Sequence, residues 1–325
     1  TLDVNQVIYD GGAIKISKEL ENADLKLNEK QSEADIYKIR SQVNTIYFSI
    51  LLANRQEELQ KNFLSLLNNR IQLIESAVRN GVRMRSDADM LRAEKIRVGQ
   101  QLADITIKKI SMIKVLSELT GIQVDSSAKL ILPENINIDG DEIKRPELDL
   151  FDLRQEQLDA GISMAGTKRL PKAFGFASLG YGNPPGNNFF KDQFDTYYMI
   201  GAGIKWNIFD WSKSKNEKKV ISTQKTILEN RKNDLSDNIR RQLDSKRAEI
   251  ESLEMMAASD SELITLRKSI SAASESQYQN GTITSTEYLD ALNSEKQAVI
   301  NSEIHRISLA MAKADYLNIS GKELE

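Results

Sequence analysis

Along most of the chain, apolar side chains return every three or four residues. Ile36, Ile39, Val43, Ile46 and Ile50 step this way. So do Leu67, Ile71, Ile74 and Val78, then Leu263, Leu266, Ile270 and Ala273, and finally Ile300, Ile304, Ile307, Met311 and Ala314. Such spacing puts one narrow apolar stripe on a helix and leaves the rest of its surface polar, as in helices that pair into coiled coils. The stripes read as helix-packing core. Small residues crowd them (Ala257, Ala258, Ser259, Ala272, Ala273, Ser274), which lets helices approach closely. Neither Gly nor Pro occurs over 13–80, 213–280 or 282–320, and only Gly99 interrupts 82–120. The pattern predicts long helices over 13–80 and 213–280, returning as 87–120 and 286–320. At about 1.5 Å per residue the longer pair would each span about 100 Å, far more than the width of a compact domain.

A different period appears elsewhere. Tyr198, Ile200, Ala202, Ile204, Trp206 and Ile208 alternate with Met199, Gly201, Gly203, Lys205 and Asn207, which is a strand with one wholly apolar face. Leu2, Val4 and Ile8 alternate with Asp3, Asn5 and Val7. The segment 173–181 is rich in Phe, Tyr and Gly, and a Gly/Pro/Asn loop over 182–188 joins it to the next strand, predicting a hairpin over about 172–209. All five prolines lie between Pro133 and Pro185. A strand of this length with an aromatic, apolar face suits either a soluble hairpin packed on helices or a membrane β-barrel. The helical stripes already account for one another, so the aromatic face calls for another apolar solvent.

The chain also repeats itself. Ile8-Tyr9-Asp10 matches Ile208-Phe209-Asp210, Asn80-Gly81 matches Asn280-Gly281, and Leu119-Thr120-Gly121 matches Ile319-Ser320-Gly321, each at a spacing of 200. Between the last two anchors the best register slips by two, pairing Leu91-Arg92-Ala93 with Leu289-Asp290-Ala291. Each half is a strand, a turn, a very long helix, an Asn-Gly break, a returning helix and a glycine stop. Asp10 and Asp210 are placed as helix caps.

Composition narrows the chemistry. Lys and Arg number 44 against 47 Asp and Glu, a net charge of −3, so nothing marks a nucleic-acid partner. Cysteine is absent and His305 is the single histidine, a packing or surface residue off its stripe. No nucleophile–base pair, phosphate loop or metal-spaced cluster is visible, and the reading is no enzyme, no metal and no cofactor. No run of residues is long and apolar enough for a membrane-spanning helix, and no signal peptide is visible.

Taken together, the pieces resemble the TolC-type outer-membrane factor, the outer membrane efflux protein family. The resemblance rests on the strand-turn segments 6–12 and 206–211, the turn segments 80–93 and 278–291, Arg145-Pro146-Glu147-Leu148 opening a helix toward Gly161, and Leu170-Pro171 before a strand. It implies a mainly α fold with a small β part. Long antiparallel helical hairpins form a trimeric α-barrel, and strands join a trimeric outer-membrane β-barrel. The chain then divides into a first repeat (1–121), an equatorial linker region (122–147), a second repeat (148–321) and a tail (322–325). The family places a helix and a strand before the first strand-turn motif, so the sequence is expected to be a fragment, and the family admits a lipid-modified N-terminus.

The implied function is a passive exit duct of a tripartite efflux or secretion system in the outer membrane of a Gram-negative bacterium, with most of the chain in the periplasm. Its partners would be two further copies, a periplasmic adaptor (membrane fusion protein), an inner-membrane pump of RND or ABC type, and outer-membrane lipid. Asn80, Gly81, Asn280, Gly281 and Thr282 would dock the adaptor, and Tyr198, Ile200, Ile204 and Trp206 would face lipid. Glu287 and Asp290 would ring the pore constriction, with Tyr278 holding it shut and Asp89 as its acidic partner; Asp87 competes for that role. Read alone, Glu287 and Asp290 are also a solvated acidic helix start. Ile283 replaces a family arginine, and Arg83 and Arg85 could supply that charge from the first turn, although both also read as surface residues. The rival reading is a soluble coiled-coil scaffold or tether.

Overall fold

A computed structural model of the chain describes residues 1–325 except 126, 127, 129, 139, 141, 187, 189, 324 and 325. The end of the tail 322–325 and Asn187 of the hairpin loop therefore lie outside the described residues. The order is β1 (Leu2–Tyr9), α1 (Ala13–Arg79), α2 (Arg85–Thr120), α3 (Pro146–Thr167), β2 (Lys172–Gly182), β3 (Asp195–Lys205), α4 (Lys213–Gln279) and α5 (Ser285–Ser320). The helices end within two residues of the positions that the breakers predict. Each bound of α4 and α5 equals that of α1 and α2 plus 200, and buried Ala88 and Val98 answer to buried Tyr288 and Ala298. The two-residue slip seen in sequence therefore has no structural counterpart; it reflects divergent side chains on an unshifted backbone.

The described residues form two compact units, 1–34 with 145–238, and 35–144 with 239–325. In the first unit, β1, β2 and β3 make an antiparallel sheet in that order. Leu179 opposes both Leu2 and Tyr198, and Ala177 opposes Val4 and Ile200. One face therefore collects Leu2, Val4, Ala177, Leu179, Tyr198, Ile200 and Ile204, with Gln6 the polar exception, and these are exposed, Tyr198, Ile200 and Ile204 each by more than three quarters. The other face carries Asp3, Asn5, Ser178, glycines and aromatic rings, with the Ser178 hydroxyl bonded to the Asp3 carboxylate. Phe174 and Phe176 lie flat across Gly203 and Gly201. A Cβ there would fall 2.6 and 2.5 Å from the ring ends, so only glycine leaves the rings their place. The strand stops three residues short of the expected Ile208. β3 ends at Lys205, and Trp206, expected on the strand, instead donates its indole N–H to the Arg169 carbonyl at 3.0 Å beyond the end of α3.

Asp10 and Asp210 cap the long helices as expected. Asp10 accepts from the amides of Gly12 (2.9 Å) and Ile14, and Asp210 from the amide of Ser214 (3.0 Å). These donors, the Ile14 amide foremost for Asp10 and the Ser214 hydroxyl and amide for Asp210, hold both carboxyls below the usual carboxylate range. α3 starts on Pro146, where a missing N–H costs nothing, and runs past Gly161 to Thr167. Gly161 lets Ile221 of α4 come close, so it is a packing position and not the helix end. Ion pairs tie α3 to its neighbours: Asp159 with Lys225, Asp152 with Lys232, and Asp149 with Lys30.

The second unit holds the hairpin ends and the linker. Three clusters supply its core: Phe63, Leu67, Leu91 and Val98 with the tyrosines discussed below; Phe48, Leu51 and Ile307; and Ile50, Ile113 and Leu116. The linker is fastened by Tyr47, whose hydroxyl donates to the Ile131 carbonyl at 2.6 Å and accepts from its amide at 3.2 Å. The stripes do not all become core. Leu67, Ile71, Ile300 and Ile307 are buried, but Ile36, Ile39, Leu263, Leu266 and Ile270 remain exposed. Together with Met256, the α4 residues make a heptad seam (256, 263, 270, with 266 between) that the described residues leave exposed.

Because the Phe174 ring occupies the space above Gly203, Gly203→Val is expected to destabilise the sheet by about 1–3 kcal/mol through overpacking. Adding Phe174→Ala should recover part of that loss, as read by thermal unfolding of the purified protein.

Candidate functional site

The second unit brings the two hairpin turns side by side, and this is where the sequence places its candidate residues. Each turn has the same backbone. Gly81 and Gly281 take φ of 71° and 75°, a left-handed conformation that glycine adopts without a Cβ penalty. The amides of Gly81 and Val82 bond back to Val78 and Ala77, and those of Gly281 and Thr282 to Tyr278 and Gln277. Thr282 adds a hydroxyl bond to the Gln277 carbonyl at 2.9 Å. Asn80, Gly81, Asn280, Gly281 and Thr282 are all exposed, and nothing lies within 4 Å of where a Cβ on either glycine would point.

Both returning helices begin with an acid at the third helical position. Asp87 accepts from the Met84 amide at 3.3 Å. Glu287 accepts from the Thr284 amide at 2.7 Å and the Thr284 hydroxyl at 2.9 Å, a full capping box. The Thr284 amide, then its hydroxyl, lowers the Glu287 carboxyl below its ordinary value. Asp290 lies three residues on, exposed, and bonds to no described residue. Thus Glu287 is a cap in the single chain, while Asp290 carries an unengaged charge on the same helix face.

Tyr278 is the centre of the arrangement and is 4% exposed. Its ring stacks on Tyr288 at 5.1 Å and 3° between planes, and the Arg83 guanidinium lies 4.4 Å from its centroid. Arg83 also donates to the carbonyls of Tyr278 and Gln279, so the first turn is tied directly to the end of α4. The Tyr278 hydroxyl is 3.4 Å from Ser285 Oγ, and that serine bonds Asp87. The single serine proton goes to the carboxylate, which leaves the tyrosine hydroxyl to donate to the serine. The acid linked to Tyr278 within the chain is therefore Asp87, not Asp89. Asp89 is exposed and paired with Arg92 at 3.0 Å, and Arg92 also holds Glu75 at 2.6 Å. Asp89 is two residues on, about 200° round the helix from the face that meets Ser285.

Sequence reasoning missed Tyr288 and Ser285, and offered Arg83 only as one of two candidate cations. Matching at an unbroken spacing of 200 would have aligned Asp87 with Glu287 and singled out the third helical position in both turns. Arg85, the other candidate cation, is exposed and only 3.9 Å from Asp89. Ile283, where the family has an arginine, packs partly buried against the tyrosine cluster. His305 is not a plain surface residue: its Nδ1 meets the buried Asp260 carboxylate at 2.9 Å. Among the described residues no helix is long and apolar enough to cross a membrane, and no group of three acidic or histidine side chains is placed to hold a metal.

The same arrangement of strands and helical hairpins occurs in known channels. The Campylobacter jejuni CmeC outer membrane channel superposes with a TM-score of 0.78 over 99% of this chain and 71% of its own, at 16% identity. CusC gives 0.79 over 99% and 77% at 15% identity, and the outer membrane protein VceC of Vibrio cholerae gives 0.75 over 97% and 78% at 16%. The chain has the outer-membrane-factor fold. No family model matches the sequence, and no curated protein matches it. At such identities the likeness is one of fold. Within the outer-membrane-factor fold, the hairpin turns here are held by Arg83, Tyr278, Ser285 and Asp87.

Two outcomes follow from this geometry. Arg83→Met removes charged hydrogen bonds to two carbonyls and a cation over a ring, and should destabilise the turns by about 1.5–3 kcal/mol; hydrogen exchange of the amides around 278–288 should speed up while that of α3 is unchanged. The Glu287 cap is present above the ordinary glutamate range and is lost as pH falls through its lowered pKa. Its carboxyl, followed by NMR, should titrate below other exposed glutamates, and Thr284→Val should raise it back towards them.

Proposed function

We propose that the chain is the protomer of a homotrimeric outer-membrane exit duct, a passive channel in a tripartite efflux or secretion system. The observation that carries this reading is the three-stranded sheet with one largely apolar, exposed face, interrupted by Gln6, and a more polar face behind it. In water such a face is a liability. In a barrel wall it is the surface that meets hydrocarbon, with Tyr198, Ile200 and Ile204 towards lipid and Asp3, Asn5 and Ser178 towards the lumen. The two outer strands of the sheet each have an edge, and strands of further copies would pair them.

Trimer formation is supported by the uncovered helical seams. Leu263, Leu266 and Ile270 on α4, and Ile96, Ile107 and Ile110 on α2, form apolar stripes that the described residues leave exposed. A second copy would cover them as one coiled-coil seam covers another. A soluble scaffold would use the helical seams in the same way but would leave the sheet face in water.

In this reading the duct closes at its periplasmic end, where the hairpin turns are. A periplasmic adaptor, itself joined to an inner-membrane pump of RND or ABC type, would dock around Asn80-Gly81 and Asn280-Gly281-Thr282, where the backbone is exposed and no side chain shields it. Glu287 and Asp290 share one helix face, and threefold symmetry would turn each into a ring of carboxylates that favours cations. Asp290 bears the greater part of that role, because Glu287 is also spent on its cap. Asp89, with its charge shared with Arg92, contributes less.

The protein in planar bilayers is expected to conduct as a trimer. Asp290→Ala with Glu287→Ala should weaken block by divalent and trivalent cations. Absence of conductance from a correctly folded, detergent-solubilised trimer would overturn the channel reading, and unchanged block in the double variant would remove these carboxylates from the constriction.

A further inference from the structure

Beside the Arg83–Tyr278 contact is a cavity of about 260 Å³. Its apolar wall is Leu73, Ile74, Ala77, Val82, Leu91 and the Tyr288 ring, drawn from both hairpins. Three charged side chains line it as well: Arg70, Arg83 and Glu275. The volume falls just under the ~300 Å³ at which pockets for drug-sized ligands begin, so an occupant is a compound of one or two rings.

The charged groups define the rest of the occupant. Glu275 is already engaged: Arg70 Nη1 meets its Oε1 at 2.5 Å and Gln279 donates to it at 3.2 Å. Arg70 is spent on that pair, and its unpartnered Nε is fully shielded from solvent, out of reach of an occupant. Arg83 is not used up. Arg83 spends one terminal nitrogen on the carbonyls of Tyr278 and Gln279, and a guanidinium has five N–H donors. Two arginines against one glutamate leave one positive charge over an apolar chamber. A carboxylate is the acceptor whose planar, two-oxygen geometry matches arginine.

We propose that this cavity binds a small aromatic monocarboxylate. The flat apolar body lies against Tyr288 and the aliphatic wall, and the single negative charge meets the spare donors of Arg83. Because the walls belong to both hairpins, an occupant bridges them at the point where Arg83 already ties the first turn to α4.

The test is calorimetric titration of naphthoate into the full chain in detergent micelles, with naphthalene-methanol as the uncharged control of the same ring system. Naphthoate should bind saturably, one per chain, in the range of about 0.1–1 mM, which suits a ligand of this size. The alcohol should bind at least about tenfold more weakly, since it carries no charge for the Arg83 guanidinium to meet. Arg83→Lys keeps the positive charge but loses the planar fork of donors, and should weaken naphthoate about tenfold without changing the alcohol. Leu73→Trp, at a position 59% exposed and so tolerant of size, should fill the chamber and abolish binding of both. Equal binding of acid and alcohol, failure of naphthoate to saturate, or unchanged affinity in both variants would each overturn the site. The measurement reads binding alone, so it is independent of whether the trimer conducts.

Discussion

A helix of 67 residues has no core of its own, and whatever stands beside its apolar stripe decides whether it persists. In α1 and α4 the stripes are narrow, and the polar surface around them is well solvated. One flank is satisfied inside the chain: Leu67, Leu91 and Val98 are buried between the hairpins, as are Ile50 and Ile307. The other flank is not, for Leu263, Leu266 and Ile270 keep roughly half of their surface in solvent. The apolar face of the sheet repeats this condition in the first unit. The chain therefore carries unpaired surfaces of two kinds, helical seams that suit another helix and a strand face that suits hydrocarbon. This division makes an assembled barrel in a membrane the economical reading of the fold.

The hairpin turns illustrate how one backbone acquires two chemistries. Gly81 and Gly281 take the same left-handed conformation, the amides return to the same carbonyls, and an acid follows at the same helical position. Side chains then diverge. The first turn presents Arg83 and Asp87; the second presents Tyr278, Ser285 and Tyr288. Cation over ring, guanidinium to carbonyl and serine to carboxylate join unlike partners across the gap. An identical pair of turns could not make such contacts, because two arginines would repel and two tyrosines would lack an anchor. Most of the tie passes through the Tyr278 ring and carbonyl, with the hydroxyl contact the longest of the set.

The sheet depends on the same exchange of size across neighbours. Rings on Phe174 and Phe176 fit only because glycines oppose them, so the polar face of the sheet stays thin while its apolar face projects unhindered. The caps at Asp10 and Asp210 then start the two long helices, after three connecting residues from β1 and seven from β3.

Much of this was legible in the residues. Absence of Gly and Pro set where the long helices run, because only those residues break a helix regardless of context. Left-handed glycines set where they end, and period-2 patterning set the strands and which of their faces is apolar. Local sequence could go this far because each rule involves atoms within a few residues of one another. It could not say which stripes are covered by the chain itself, and Leu263–Leu266–Ile270 proved open where Leu67–Ile71 proved buried. It preferred Asp89 to the competing Asp87 for Tyr278 and carried the last strand to Ile208, where the structure links Tyr278 to Asp87 through Ser285 and ends the strand at Lys205. The partner of a side chain 200 residues away depends on how two helices are rotated about their axes. A change of one position turns a helical residue by about 100°, and that angle is set by packing alone. The tertiary structure decided it when Tyr288 stacked beneath Tyr278, bringing Ser285 to Asp87 and leaving Asp89 to Arg92.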